Sequence, residues 1–376
     1  MARDPFCDID VVAQKVGKAI GDLVGCEMAL VTSGCAGAMT LASAAAMAGD
    51  DPHKIIQLPD TTGMPCEILI QSNQRYHYDR AWEFAGAKLV EYEPTAEALE
   101  KAITHRTVAC VSRPEKFFPG SLSIETMSEI AHAHGLYVMV DGAGETYPLD
   151  DLTDCIKRGA DVQCVAAKYI SSSQSSGLAL GSADFINKMF LQTFVGFERS
   201  NEEFGAGIGE ENTFSGDSTW YVRGIGRPQK VDRQEIMGVY MAVKIWMETD
   251  HDARIETFRK RSQTIVDGLQ GVPGVVSAAI DPNITQHDPH GANIEIDPNI
   301  VSVLDLVKML KANEEAPLWT RPSGPNTLRV AIFGLLEGEE NLVVDLIKES
   351  LTVAAEAPAT VEAVGTAGVT AAVARL

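Results

Sequence analysis

The 376-residue sequence predicts an α/β protein in which a large domain on a mostly parallel sheet precedes a smaller α+β domain. Three observations carry this reading. Short apolar runs alternate with helical patterns through the first half of the chain. Several of those runs are apolar at consecutive positions, as strands covered by helices on both faces are. Past about residue 235 the order changes to long helices with a few short strands between them.

In chain order, the apolar runs place strands over 55–58, 67–71, 88–91, 107–112, 137–141, 162–166 and 178–181. The helical patterns lie over 37–47, 78–85, 124–134 and 183–194. A stretch rich in Gly and Glu over 198–217 reads as a long loop near a site, since long ordered loops in compact domains often carry function. An amphipathic helix over 234–247 then continues towards residue 270. Strands over 275–280, 291–296 and 327–332, with helices over 301–310 and 339–351, complete the smaller domain. The expected division is 1–235 for the large domain, 236–353 for the small one, and 354–376 for an Ala-rich tail that is either a frayed helix or a disordered extension.

Composition excludes some functions. With 31 basic against 52 acidic residues the chain carries a formal charge of -21, and no basic run offsets it. Such a surface repels phosphate backbones and anionic membranes, so neither nucleic acid nor a membrane is an expected partner. The seven cysteines form no C-x-x-C pair and read as reduced thiols of a reducing, cytoplasmic compartment. No metal is expected. His132 and His134 are two apart in a helix and do not share a face, so they read as a solvated helix end.

Three segments carry chemistry together. Val31-Thr32-Ser33-Gly34-Cys35-Ala36-Gly37-Ala38 precedes an Ala-rich helix, and small residues there let backbone N–H groups of Ser33, Gly34 and Cys35 approach an anion at the helix start. An ordinary N-cap is the alternative. The strand over 137–141 ends in Asp141, at the strand end where open α/β sheets bind ligands; alone, such an Asp is as readily a helix cap. The strand over 162–166 is followed by Lys168 and by a polar small-residue loop, 171–177, that includes Ser175 and Ser176. A lone lysine after a strand is usually a solvated end.

The order and spacing shift the balance. An anion cup, an acid about a hundred residues on, and a lysine 27 residues later form the linear arrangement of fold-type-I pyridoxal-phosphate enzymes, the aspartate-aminotransferase-like fold. The lysine joins the cofactor aldehyde, the acid keeps the pyridine nitrogen protonated, and the cup holds the phosphate. Pyridoxal 5'-phosphate is therefore the expected cofactor.

The chain further resembles the selenocysteine-synthase-like branch of these enzymes. The resemblance rests on Thr32-Ser33-Gly34-Cys35-Ala36, Leu58-Pro59-Asp60-Thr61-Thr62-Gly63-Met64, Tyr78-Asp79-Arg80-Ala81 with Ala85-Gly86-Ala87, and Val140-Asp141. It continues in Gly159-Ala160-Asp161, Lys168 with Gln174-Ser175-Ser176-Gly177, and Gly224-Ile225-Gly226-Arg227-Pro228-Gln229-Lys230-Val231, and so covers about 20–350. It implies catalytic roles for Lys168 and Asp141, a basic substrate pocket of Arg75, Arg227 and Lys230, and a place for His77 and Tyr78 beside the ring. It also implies a homodimer or larger homo-oligomer, with the 171–177 loop reaching across the subunit contact.

The sequence departs from the branch at Val165-Ala166-Ala167, where Ser-Gly is usual before the lysine, and at Ser172-Ser173, where Gly-Pro is usual. The expected function is a pyridoxal-phosphate-dependent lyase that eliminates ammonia or another substituent from a small, anionic amino acid or amino-sugar acid. Selenium transfer to a seryl-tRNA is one alternative, opposed by the acidity. A non-catalytic member of the branch is the other, because the branch ordinarily carries an N-terminal segment, contributing to the site, ahead of where this sequence starts.

Overall fold

A computed structural model describes residues 8–193, 224–281 and 290–356. They fall into two compact units that divide between Glu248 and Thr249. The stretch expected as a loop over 198–217 and the tail beyond residue 356 lie outside the described residues.

The first unit is built on a seven-stranded sheet: β1 Met28–Thr32, β2 Glu67–Gln71, β3 Lys88–Tyr92, β4 Thr107–Ser112, β5 Tyr137–Asp141, β6 Val162–Ala166 and β7 Gly177–Gly181, in the spatial order β1-β7-β6-β5-β4-β2-β3. Strands β3, β2, β4, β5 and β6 are mutually parallel, whereas β7 runs antiparallel to both β6 and β1. An apolar run has the same composition in either direction, so the reversal of β7 left no mark in the sequence pattern.

Alternate residues of these strands face two cores. Leu30, Met139, Cys164 and Ala179 pack with helix α2, Gly34–Ala48, whose Ala38, Ala42 and Ala45 are fully buried. Val31, Val165, Leu178 and Leu180 pack on the other face with helix α1, Ile9–Val24, and with Ile236, Val239, Val243 and Trp246 of helix Arg233–Glu248. Both faces are covered, as the continuous apolar runs require. Helix α1 begins at Asp8, whose carboxylate accepts from the N–H groups of Asp10 and Val11 at 3.0 and 3.4 Å.

Four expectations are corrected. The run over 55–58 is helical, within Pro52–Gln57: Asp51 caps it by accepting from His53 N at 3.0 Å, and Pro52 takes the first turn. The helix over 78–85 shrinks to a 3₁₀ turn, Asp79–Trp82. The helix from 234 towards 270 is two helices, Arg233–Glu248 and His251–Leu269, because Asp250 caps the second by accepting from Ala253 N at 3.0 Å. The first of the pair lies against α1 and so places the division 13 residues beyond the expected 235. Helix α1 and strand β1 were not anticipated.

The second unit has an antiparallel sheet of β8 Val275–Ile280, β9 Gly291–Ile296, β10 Arg321–Pro322 and β11 Thr327–Ala331 in the order β10-β11-β9-β8. Helices His251–Leu269, Val303–Ala312 and Glu339–Glu356 complete a core that includes Ile265, Leu269, Ile294, Leu306 and Ile347. Among the described residues no helix is long and apolar enough to cross a membrane.

Candidate active site

Asp141 ends β5 and Lys168 follows β6, and hydrogen bonds beyond the strand ends hold the two together. Gly142 N donates to Cys164 O and Ala166 N to Ala143 O, each at 3.0 Å, so the pairing of β5 with β6 continues past Asp141 to Ala166, two residues before Lys168. The loop after Asp141 is tied down further on. Glu145 is buried and pairs with Lys116 Nζ at 2.5 Å, and Trp246 Nε1 donates to Thr146 O at 2.8 Å.

The Asp141 carboxylate is 8% exposed. Its Oδ1 accepts from Ala143 N at 3.1 Å and from the Cys35 thiol at 3.4 Å, while its Oδ2 accepts from the Tyr76 hydroxyl. Both side-chain donors hold their protons. Burial, and then the negative charge of Asp141, push the Cys35 thiol well up from its ordinary value and push the Tyr76 hydroxyl up likewise. These donors are neutral. Among the described residues no Lys, Arg or His nitrogen lies within 4.0 Å of the Asp141 carboxylate. A carboxylate taken out of water without a cation is costly, and a cationic partner at this position relieves that cost.

Lys168 is half-buried in the 3₁₀ turn Ala167–Ile170, with its Nζ 5.0 Å from the centroid of the Tyr169 ring. Among the described residues no carboxylate oxygen lies within 4.0 Å of this ammonium. Its positive charge acts on Cys35, the thiol that donates to Asp141.

The start of α2 forms a cradle of small residues. Gly34 adopts φ +75°, a conformation that favours glycine, and Ser33 makes no side-chain cap to the helix. The 171–177 loop packs directly on this turn: a Cβ at Gly177 would stand 2.3 Å from the carbonyl carbon of Gly34 and 2.7 Å from Cys35 N. Gln229 closes the other side, with its buried Oε1 lacking a hydrogen-bond partner and lying 3.5 Å from where a Gly37 Cβ would be. A helix N-terminus and an uncommitted Ser33 hydroxyl suit a phosphate group. With Asp141 and Lys168, neither in an ion pair among the described residues, these residues fit pyridoxal phosphate.

The remaining expected site residues divide. Ser175 presents its main chain to the cradle, but its hydroxyl donates to Glu235 Oε1 at 3.1 Å, as does that of Ser173 at 2.8 Å. The Ser176 hydroxyl donates to Ser173 O at 2.7 Å and braces its own loop. Arg227 and Lys230 are exposed on the turn that carries Gln229. Arg75 is engaged by two acids. Its guanidinium pairs with Asp79 at 2.5 Å and with Glu91 of β3, at the sheet edge away from Asp141. His77 is exposed and its ring lies against Tyr78 at a centroid distance of 4.2 Å. The residue of this segment that reaches Asp141 is Tyr76, which the sequence reading passed over. Arg75 is extended, at φ -64° and ψ 136°, and successive side chains of extended chain point to opposite sides. That alternation separates Tyr76 from Arg75 and His77 in sequence terms but does not say which side faces the site. His132 and His134 bond Asp161 at 3.0 Å and Glu100 at 2.9 Å respectively.

No protein-family profile matches the chain. Over 280 residues it is 24% identical to 5'-C-glycyluridine monooxygenase-decarboxylase from a Streptomyces species, covering 71% of this chain and 62% of that protein. Over 290 residues it is 22% identical to D-glucosaminate-6-phosphate ammonia lyase of Salmonella typhimurium, covering 73% of this chain and 67% of the relative. The match thus spans less than two thirds of the first of these relatives. A solved structure of D-glucosaminate-6-phosphate ammonia-lyase superposes with a TM-score of 0.76 at 20% identity, covering 94% of this chain and 89% of the other. A pyridoxal-5'-phosphate-dependent protein from Escherichia coli superposes with a TM-score of 0.54 at 14% identity, covering 91% and 86%. The chain has the aspartate-aminotransferase-like fold, the architecture of fold-type-I pyridoxal-phosphate enzymes.

Proposed function

We propose that the chain is a pyridoxal-phosphate-dependent lyase that eliminates ammonia from a small anionic amino acid, in the class of phosphorylated amino-sugar acids. The observation that carries this reading is the pair of uncompensated charges at the ends of adjacent parallel strands. Among the described residues Asp141 is a buried carboxylate with no cation within 4.0 Å and Lys168 has no acid within 4.0 Å, and a glycine-built cradle adjoins Asp141 through Cys35.

The residues divide the work. Lys168 Nζ would hold the cofactor and, with an amino acid bound, would serve as the base that accepts the substrate's α-proton. Asp141 would keep the pyridine nitrogen protonated, its carboxylate fixed in place by Cys35, Tyr76 and Ala143 N. The N–H groups of Gly34 and Cys35 and the Ser33 hydroxyl would bind the cofactor's phosphate. When bound, the cofactor supplies an electron sink for the charge left by proton removal. Arg227 and Lys230, on the turn beside the cradle, meet a second anionic group of the substrate. A homodimer or larger homo-oligomer in the cytoplasm completes the reading.

The name of one relative denotes ammonia elimination and that of the other an oxidative decarboxylation, so the test must separate the two. The purified chain, loaded with pyridoxal phosphate, is reduced with borohydride and mapped by mass spectrometry, which should place the pyridoxyl group on Lys168. Incubation with D-glucosaminate-6-phosphate should release ammonia whether or not oxygen is present. A label on another lysine sinks the site assignment, and turnover that releases carbon dioxide and requires oxygen sinks the lyase reading.

A further inference from the structure

We propose that Arg113 is an anion anchor of this site, placed to receive a carboxylate or phosphate of the substrate. The inference deepens the lyase reading and rests on it for the identity of the ligand. Arg113 follows β4 directly, beside the strand that ends in Asp141. Its main chain is clamped by one fully buried side chain: Gln74 Oε1 accepts from Arg113 N at 2.8 Å, and Gln74 Nε2 donates to Arg113 O at 3.2 Å. Its guanidinium carbon lies 4.3 Å from the centroid of the Tyr76 ring and 4.4 Å from that of Phe118. Gln74 and Tyr76 belong to one short segment, so the residues that fix Arg113 also include the one that bonds Asp141.

Ring faces attract a guanidinium but accept none of its in-plane hydrogen bonds. Among the described residues Arg113 donates no side-chain hydrogen bond and has no carboxylate within 4.0 Å. The half-buried Arg158, Arg261 and Arg329 are all in ion pairs. With no acid among the described residues beside it, this half-buried guanidinium keeps its N–H donors for a partner that arrives from outside. A planar fork with its edge open suits a bidentate carboxylate or phosphate.

The test is calorimetric titration of the full chain, with and without pyridoxal phosphate, using succinate in one arm and inorganic phosphate in the other. Wild-type protein should bind one of them. Arg113→Met keeps the stem against the two rings and should weaken that binding by about tenfold or more, while Arg113→Lys should restore part of it. Thermal midpoints and cofactor absorbance of both variants show whether the fold and the loaded site persist. Unchanged binding in a folded Arg113→Met, or no binding of either anion to wild type, overturns the proposal. Because the unloaded protein is titrated too, a failure of cofactor attachment at Lys168 is seen separately from a failure at Arg113.

Discussion

The thiol of Cys35, at the start of α2, donates a hydrogen bond to the carboxylate of Asp141, 106 residues later, at 3.4 Å. This contact joins the cradle of the helix to the strand-end acid, and the charge of Lys168 acts on the same thiol. The phosphate side and the pyridine side of the candidate site are therefore one connected object. A change at either should be felt at the other.

Asp141→Asn tests the acid. The amide matches the carboxylate in size and keeps an oxygen for Cys35 and Ala143 N, so the fold and cofactor attachment to Lys168 should persist. It holds no proton on a pyridine nitrogen, and turnover should fall by on the order of a hundredfold or more. Steady-state rates alongside cofactor absorbance check this, and near-normal turnover would remove Asp141 from its assigned role.

Gly177→Ala tests the cradle. A methyl group there has only 2.3 Å to the carbonyl carbon of Gly34, and backbone rather than a flexible side-chain tip stands in the way. The 171–177 loop or the start of α2 must shift. Cofactor affinity, measured by equilibrium dialysis, should drop by about tenfold or more, as expected for losing one or two charge-assisted hydrogen bonds to phosphate. Unaltered affinity would show that the cradle is packing alone.

Alkaline stability follows from the buried thiols. Burial pushes Cys110 and Cys155 up to about 12 from an ordinary value of 9.0, and Cys35 and Cys164 also rise well above it. A raised folded-state pKa means that the folded chain binds the proton more tightly than the unfolded chain does. The stability from Cys110 and Cys155 is complete below about 9.0 and is lost as pH climbs towards about 12, at roughly 1.4 kcal/mol per pH unit per thiol. Urea unfolding across that window should show the decline, and Cys110→Ala should make it shallower. A flat profile in wild type would contradict the burial argument.

How much was legible in the sequence depended on range. The strands ending at Asp141 and leading to Lys168 could be read because each is an apolar run closed by a charge, and the helix after Ser33 because small residues announce it. Residues 55–58 misled because a short helix and a buried strand have the same apolar content, although Asp51-Pro52 is a helix-start signal that favours the observed answer. Helix α1 was obscured by Gly17 and Gly21, which weaken a helical pattern but let the helix lie close on β1, where a Cβ at Gly17 would be 2.2 Å from Ala29 O. The ligand set of Asp141 was out of reach, because Cys35 and Tyr76 meet it only through the strand order. Arg75 shows the same limit, since its partner Glu91 comes from the neighbouring strand β3.

Arg75 and Arg227, which the sequence grouped in one basic pocket, should respond differently to removal. Arg75 pairs with Asp79, whose side chain is only 3% exposed and also accepts from Tyr76 N at 3.2 Å. Removing the guanidinium leaves a buried carboxylate without its cation, in the segment that positions Tyr76 on Asp141. Arg75→Ala should therefore destabilise the fold by about 1–3 kcal/mol and lower activity on every substrate alike. Arg227 is exposed, on the turn whose Gln229 lines the cradle. Arg227→Ala should leave the thermal midpoint nearly unchanged and raise the Michaelis constant for a phosphorylated substrate by about tenfold, with little effect on an uncharged-tail analogue. Thermal unfolding and paired kinetics on the two substrates check both arms. If Arg227→Ala costs both substrates equally, its role is structural, and substrate anions are then bound elsewhere than on that turn.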